Sequence, residues 1–434
     1  MARITRCFTL LAVVAAGCGR EQIVREGRSA AVIRLPARPH PDLALAAEEI
    51  RTYAKRVSGA DLEVRSGDAS VPPGARVEIV LETAGSDSTP AEGVLHPDGY
   101  RLLSHGRRVV IRGGSPRGTL SGAYDFIERA FDVRWFMPTA LGEDIVARAS
   151  IEVPELAIAH NPGFASIDGF AWSGHPGIGE WVRRQRVRVG ADGVFGHNWS
   201  NILPLTPGNL AAHPTAFAEV NGRRGKSPQL CTTDPAVIQA SVEAARRFFD
   251  GHKGAPLFSI SPNDGDGFCE CARCRALDRA LGVTDGSVSD RLAEYANAVI
   301  AEVVKTHPGK RLGMLAYARY TKPPRRVRPE AGYTTLVTHM PWEFCHAHAV
   351  DDPACALNRR YLEALQGWIA LTPRTGVYEY YGHFLTATPW PIVHSMRRDI
   401  PLFARLKAER FVSETQAHWA TQGLGFYIAA RLVN

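Results

Sequence analysis

The chain has 434 residues, 45% hydrophobic and 22% charged, with a formal net charge of +7. This make-up is that of a globular protein with two or three domains and excludes a fibre, a disordered tail or one small core. The positive excess is spread over arginines, and the basic clusters at 183–188 and 322–328 lack interleaved aromatics; they read as solvated faces, so no nucleic-acid partner is expected.

The first residues carry an address. Arg3 and Arg6 flank the start, an apolar run covers 8–16, and Ala15-Ala16-Gly17 leads into Cys18. A basic region, a short apolar region and small residues before a cysteine predict a lipoprotein-type signal peptide over 1–18, with lipid attached at Cys18. The expected location is that of an outer-membrane, cell-surface or periplasmic lipoprotein that meets the membrane only through this anchor. No later run is apolar for long enough to span a bilayer.

Residues 30–150 read as a small α/β domain. A strand is predicted at 31–35, and apolar residues at helical spacing over 42–58 stop before Gly59. Further strands are expected at 77–81, 100–103 and 109–111, the last two as a hairpin, before a helix over 119–131. The run Arg112-Gly113-Gly114-Ser115-Pro116-Arg117-Gly118 fits neither the dinucleotide fingerprint nor the P-loop. Pro116 also removes an amide donor that a phosphate cradle would use, so no nucleotide cofactor is expected.

From 160 to 434 strand-like and helical stretches alternate. Strands are predicted at 165–170, 193–195, 257–261, 311–317, 335–339, 376–379 and 410–413, and helices at 235–250, 288–306, 358–370, 396–406 and 424–432. Such alternation implies a parallel sheet of the (β/α)8 type. With seven strands evident, the barrel is expected to be incomplete at its carboxyl end or to obtain its eighth unit otherwise.

Residues just past barrel strands line one face. Here they are His197, Asn198 and Trp199 after the second strand, Asn263 and Asp264 after the third, and Tyr317 after the fourth. His339 and Trp342 follow the fifth, Glu379 ends the sixth and Glu414 follows the seventh. Aromatics beside carboxylates suit a glycan, because pyranose rings stack on aromatic faces while carboxylates bind hydroxyls and transfer protons. The catalytic candidates are Glu414, Glu379 and Asp264. The substrate-binding candidates are Asn263, His197, Asn198, Trp199, Tyr317, His339 and Trp342. Each has a plainer alternative: Asp264 as a turn cap, Glu379 as an arginine partner, and His197 and His339 as structural histidines.

Besides Cys7 and Cys18, six cysteines remain. Cys345 and Cys355 enclose a histidine-rich loop and are expected to form a disulfide. Cys231, Cys269, Cys271 and Cys274 form either two bridges or one four-thiolate zinc site; in an oxidising compartment bridges are favoured, and no metal or cofactor is expected.

Several phrases resemble known families. S-P-N-D-G before F-C-E-C-A-R-C, together with G-H-N-W-S-N, L-C-T-T-D-P, L-A-Y-A-R-Y-T-K-P-P and S-E-T, is similar to the domain of unknown function 4838 and glycoside hydrolase family 163. A-A-E-E-I-R-T-Y-A-K-R-V-S-G-A and R-G-T-L-S-G-A-Y-D-F-I-E-R-A-F-D-V-R-W-F-M-P resemble the amino-terminal domain of the family 67 α-glucuronidases. The first resemblance implies an endo-β-N-acetylglucosaminidase-like enzyme acting on N-glycans through a carboxylate pair or the substrate's own acetamide. The alternatives are a non-catalytic glycan-binding lipoprotein and a zinc hydrolase using His339, His346 and His348.

Overall fold

A computed structural model describes residues 20–67, 70, 72–84, 93–170, 174–187, 195–382 and 387–434. Cys18 and most of the expected strand 193–195 lie outside these residues. The chain divides into two compact units. Residues up to Val133 together with Ile145–His160 form one, and Arg134–Asp144 with Asn161–Asn434 form the other.

The first unit is a six-stranded mixed sheet with two helices. Its strands are Ala31–Leu35 (β1), Glu63–Ser66 (β2), Val77–Thr83 (β3), Tyr100–His105 (β4), Arg108–Gly113 (β5) and Ala157–His160 (β6), in the order β6-β4-β5-β3-β1-β2. β4 and β5 are the expected antiparallel hairpin, while β5, β3, β1 and β2 run parallel. Helix α1 (Pro41–Ser58) starts at His40, whose Nδ1 accepts from the Asp42 amide, and ends at Gly59 with φ 79°, a conformation that glycine adopts without strain. Helix α2 (Pro116–Phe131) packs on α1. Ile79, Ile111, Phe126 and Ile127 are fully buried between helices and sheet, each stabilising the unit by roughly 1.5–3 kcal/mol. The glycines at the start of α2 serve packing: a Cβ at Gly113, before the helix, would sit 2.0 Å from the Thr119 nitrogen, and one at Gly118, in its first turn, would sit 2.4 Å from the Gly99 carbonyl oxygen.

The second unit is built on a curled, all-parallel half-barrel sheet. Its strands are Ser166–Asp168 (β7), Leu257–Ser259 (β8), Arg311–Ala316 (β9), Tyr333–Thr338 (β10), Thr375–Glu379 (β11) and Arg410–Ser413 (β12), in the order β7-β12-β11-β10-β9-β8. β10, β11 and β12 are buried along their whole length, as expected of parallel strands covered on both faces. The connecting helices include Pro235–Gly251 (α3), Ala272–Ala280 (α4), Ser289–Val303 (α5), Ala356–Leu371 (α6), Val393–Arg405 (α7) and Trp419–Leu432 (α8). The mixed α/β class and barrel-type sheet expected from the sequence are what the structure shows. The seventh expected strand, β12, pairs directly with the first, β7, in parallel, so an eighth strand has no place between them. At the other edge, His197 makes a parallel bridge to Ser261, just past β8. No helix among the described residues is long and apolar enough to cross a membrane.

Candidate active site

The carboxyl ends of these strands build a rim. Past β8 the chain turns through Asn263, whose side chain holds backbone and whose own backbone is held by Gln229. Its Oδ1 accepts from the Ser200 amide at 2.7 Å, its Nδ2 donates to the Pro228 carbonyl at 2.7 Å, and its amide donates to Gln229 Oε1 at 3.1 Å. Gln229 returns a bond to the Asn263 carbonyl at 2.8 Å. Asn263 is therefore a clamp for its loop, and Asp264 is what the loop presents.

The Asp264 side chain is 72% exposed. Its Oδ1 accepts from the Gly265 amide at 2.8 Å, which is the turn cap, and also from the Tyr317 hydroxyl at 2.8 Å. His197 Nε2 lies 3.6 Å away. The other His197 nitrogen, Nδ1, is 2.7 Å from the Pro262 carbonyl; a carbonyl can only accept, so Nδ1 carries a proton and Nε2 is left facing the carboxylate. The His197 and Tyr317 rings meet edge to face at 5.3 Å.

Glu414 reaches the same rim from β12. Its carboxyl is half-buried, and Oε1 accepts from the Tyr378 hydroxyl at 2.7 Å. Burial pushes its pKa above the ordinary value; the Tyr378 bond opposes this, the negative charge of Asp264 adds to it, and His197 opposes it. The influence of Asp264 and His197 on Glu414 places all three groups in one electrostatic field. Aromatic rings surround them: Tyr378 and Tyr380 lie 5.3 Å apart, and Trp342, 55% exposed, lies 6.3 Å from Tyr380. Glu343, beside Trp342, is also raised by burial.

Other expected rim residues turn inward. Glu379 is 0% exposed, with its carboxylate 3.2 Å from His339 Nδ1 and 3.4 Å from His346 Nε2. Burial alone would raise its pKa, but His339 and then His346 overcome this and hold it down at about 2. The expectation of Glu379 as an acid at the substrate face is corrected on these grounds: it is a buried carboxylate held between two histidines. Side chains alternate along a strand, so Tyr378 shares the face of Glu414 while Glu379 points the opposite way. His339 is buried with it, its Nε2 being 3.3 Å from Asn358 Oδ1.

Trp199 is fully buried and its indole N–H donates to the Tyr295 hydroxyl at 3.2 Å; Asn198 is buried and donates to the Ser259 carbonyl at 2.7 Å. Both are framework rather than substrate contacts. Trp419, five residues after Glu414, packs against Trp181 and Phe426. Tyr378 and Tyr380 were missed as rim groups. The signal lay in Tyr378-Glu379-Tyr380, where alternation puts the two phenols on one side and the carboxylate on the other.

Among the described residues, three side-chain groups bring metal-ligating atoms within 4.8 Å of one another: Cys231, Cys269, Cys271 and Cys274; Cys345, His348 and Cys355; and His339, His346 and Glu379. All six cysteines among the described residues are free. The expected Cys345–Cys355 bridge is therefore not formed, and the Cys345 sulfur instead lies 3.3 Å from His348 Nδ1. The two bridges favoured for the other four cysteines are likewise absent, because their sulfurs converge on one point rather than in pairs. His348 lies with the cysteines and not with His339 and His346, so the ligand set expected of a zinc hydrolase is not assembled.

The family described as domain of unknown function DUF4838 matches residues 137–434. No curated protein matches the sequence. Among solved structures, the GH20 chitobiase of Flavobacterium johnsoniae is similar with a TM-score of 0.54 at 12% identity, covering 95% of this chain and 67% of that one. A β-N-acetylhexosaminidase of Bacteroides fragilis gives 0.50 at 9% identity, covering 95% and 88%. The GH115 4-O-methyl-α-glucuronidase BtGH115A gives 0.50 at 13% identity, covering 93% of this chain but only 56% of its own. At these identities the likeness is one of fold.

Proposed function

We propose, for a chain that belongs to the DUF4838 family over residues 137–434, that the rim hydrolyses glycosidic bonds with Glu414 as general acid. The observation that carries this reading is the half-buried Glu414 carboxyl, held at 2.7 Å by Tyr378 and raised in pKa by burial, on the same rim as Asp264. A general acid must keep its proton until the leaving oxygen takes it, and desolvation is what keeps a carboxyl protonated near neutral pH. Trp342, 55% exposed, supplies a face for a sugar ring.

The finer reading is an endo-β-N-acetylglucosaminidase-like enzyme of the family 163 type acting on glycans. The activities named for the chitobiase and the hexosaminidase agree with an N-acetylated sugar. In a substrate-assisted course, the acetamide oxygen forms a bond to C1 as the bond from C1 to the leaving oxygen breaks, and the Glu414 proton goes to that oxygen. Water then attacks C1 with Glu414 as base, regenerating the acetamide. Asp264, held by Tyr317 and the Gly265 amide, is positioned to orient the acetamide N–H. Glycan release from glycoproteins, read by mass, tests this. Release by the wild type and its loss in Glu414→Gln support it, whereas glycan binding without release by the wild type would make the rim a lectin-like surface instead.

Two proposals about the rest of the chain rest on sequence. Residues 30–150 serve as an α-glucuronidase amino-terminal-like module, and the segment ending at Cys18 directs export and lipidation. Cys18→Ser should move the protein from the membrane fraction to the soluble fraction; equal membrane retention would count against the anchor.

A further inference from the structure

We infer that Cys231, Cys269, Cys271 and Cys274 hold one structural zinc ion as four thiolates, and that this centre anchors the loop presenting Asp264. It stands independently of the reaction proposed above.

The distances are those of a tetrahedral site. The Cys231 sulfur lies 3.8 Å from that of Cys271 and 3.7 Å from that of Cys274, and all four sulfurs fall within 4.8 Å of one another. A tetrahedron with Zn–S bonds of about 2.3 Å has sulfur–sulfur edges of about 3.8 Å. A disulfide joins sulfurs at about 2.05 Å and in pairs, which leaves no reason for four to share one centre. All four are buried, with Ala218 and Val220 packed around them. The centre is closed to solvent and has no vacant position for a substrate, as structural zinc sites are.

The surroundings are suited to thiolates. The Glu219 amide donates to the Cys269 sulfur at 3.3 Å, and the Arg224 guanidinium lies 3.9 Å from the same atom. Thr233 Oγ1 is 3.4 Å from the Cys231 sulfur and 3.3 Å from that of Cys274, so its hydroxyl proton can be given to either. Cys271 is the N-cap of α4 and Cys274 lies in its first turn, where the positive end of the helix dipole favours negative sulfur. Four thiolates on one divalent ion carry a net charge of −2. Arg224 and the helix end offset part of that charge, and hydrogen bonds to ligand sulfur orient the ligands.

The centre ties two stretches of chain, Cys231 and the run 269–274, that have no regular ladder between them. Cys231 belongs to the stretch whose Phe217 and Leu230 form an antiparallel bridge, and its carbonyl accepts from the Asp234 amide at the start of α3. Cys269 is held at its carbonyl by Arg291 of α5 at 2.8 Å. Two residues before Cys231, Gln229 brackets Asn263 through bonds of 2.8 and 3.1 Å. The metal therefore closes the far end of the loop whose near end is β8, with Asp264 between them.

Metal content of the full-length chain, purified without added chelator, decides the matter. About one zinc per chain is expected by elemental analysis, lost in Cys231→Ser and Cys274→Ser and kept in the Cys345→Ser, Cys355→Ser double variant. A folded wild type without zinc, disulfides within the quartet on non-reducing peptide mapping, or zinc lost only with Cys345 and Cys355 would each overturn the assignment. If the quartet variants do not fold, mercurial titration of the wild type still decides. Release of one zinc as four buried thiols react supports the site, and release with fewer thiols refutes it. Hydrogen exchange should then rise in the metal-free chain over 227–231 and 263–274, and unchanged protection there would refute the anchoring role.

Discussion

Glu379 and Glu414 stand at the ends of neighbouring strands, and the Glu414 amide even donates to the Glu379 carbonyl at 2.9 Å, yet their carboxyls live in opposite environments. Glu379 is sealed between two histidines and held down at about 2; Glu414 lies half-open under a tyrosine hydroxyl and is pushed up. Burial acts on both in the same direction. The neighbours decide the sign: two imidazoles outweigh desolvation at Glu379, whereas at Glu414 the Tyr378 hydroxyl and His197 do not, and the charge of Asp264 adds to the desolvation. A fully buried carboxylate between two histidines is framework, whereas Glu414 keeps part of its surface open.

The strongest way to break this contrast is at the framework end. Glu379→Ala leaves His339 and His346 buried without their counter-charge, and stability measured by denaturant should fall by about 3–5 kcal/mol; a loss under about 1 kcal/mol would mean that the cluster tolerates an uncharged core. Glu414→Gln tests the other end. It keeps the shape and removes the transferable proton, so glycan release should fall about 10²-fold or more with glycan binding nearly intact, and cleavage at the wild-type rate would remove Glu414 from the chemistry.

pH sharpens the comparison. His339 is buried, which alone would lower its pKa, but Glu379 raises it above 6.5, so its contribution is full below that value and is lost as pH rises through the raised pKa. Glu379 is lowered from 4.5 to about 2, so its contribution is full above 4.5 and is lost as pH falls towards 2. The stability difference between wild type and Glu379→Gln should therefore be widest between pH 4.5 and 6.5 and narrow on both sides. A difference independent of pH from 2 to 9 would show that the pair is not ionic. The smallest effect is expected from Tyr378→Phe. The Tyr378 hydroxyl bond lowers the Glu414 pKa, so its loss should move the basic limb of the pH profile of glycan release upward while release persists; a downward move would place the tyrosine in a different role.

Much of the framework was legible locally. The strands Ala31–Leu35 and Arg410–Ser413 lie at the predicted residues, and the helix expected over 42–58 begins one residue earlier, because apolar periodicity, a proline in the first turn and a glycine stop act within a few residues of chain. The identity of Asp264 and Glu414 as strand-end carboxyls was also legible, since a short apolar run followed by polar residues marks the strand end without reference to the rest of the molecule.

What the sequence by itself determined is thus the order of strands and helices and the residues that stand at their ends. Which face each end residue takes, and what meets it there, was decided only by tertiary structure. Glu379 was expected at the rim because it ends a strand, but its direction depends on the pleat, and its charge state on His339 and His346, which come from a different strand and loop. The cysteines show the same division. Spacing alone left bridges and metal as competing readings for Cys231, 38 residues before Cys269, and only the folded paths of two separate segments bring four sulfurs to one centre. Long-range convergence of this kind has no local signature, because it arises from the sum of packing across the sheet.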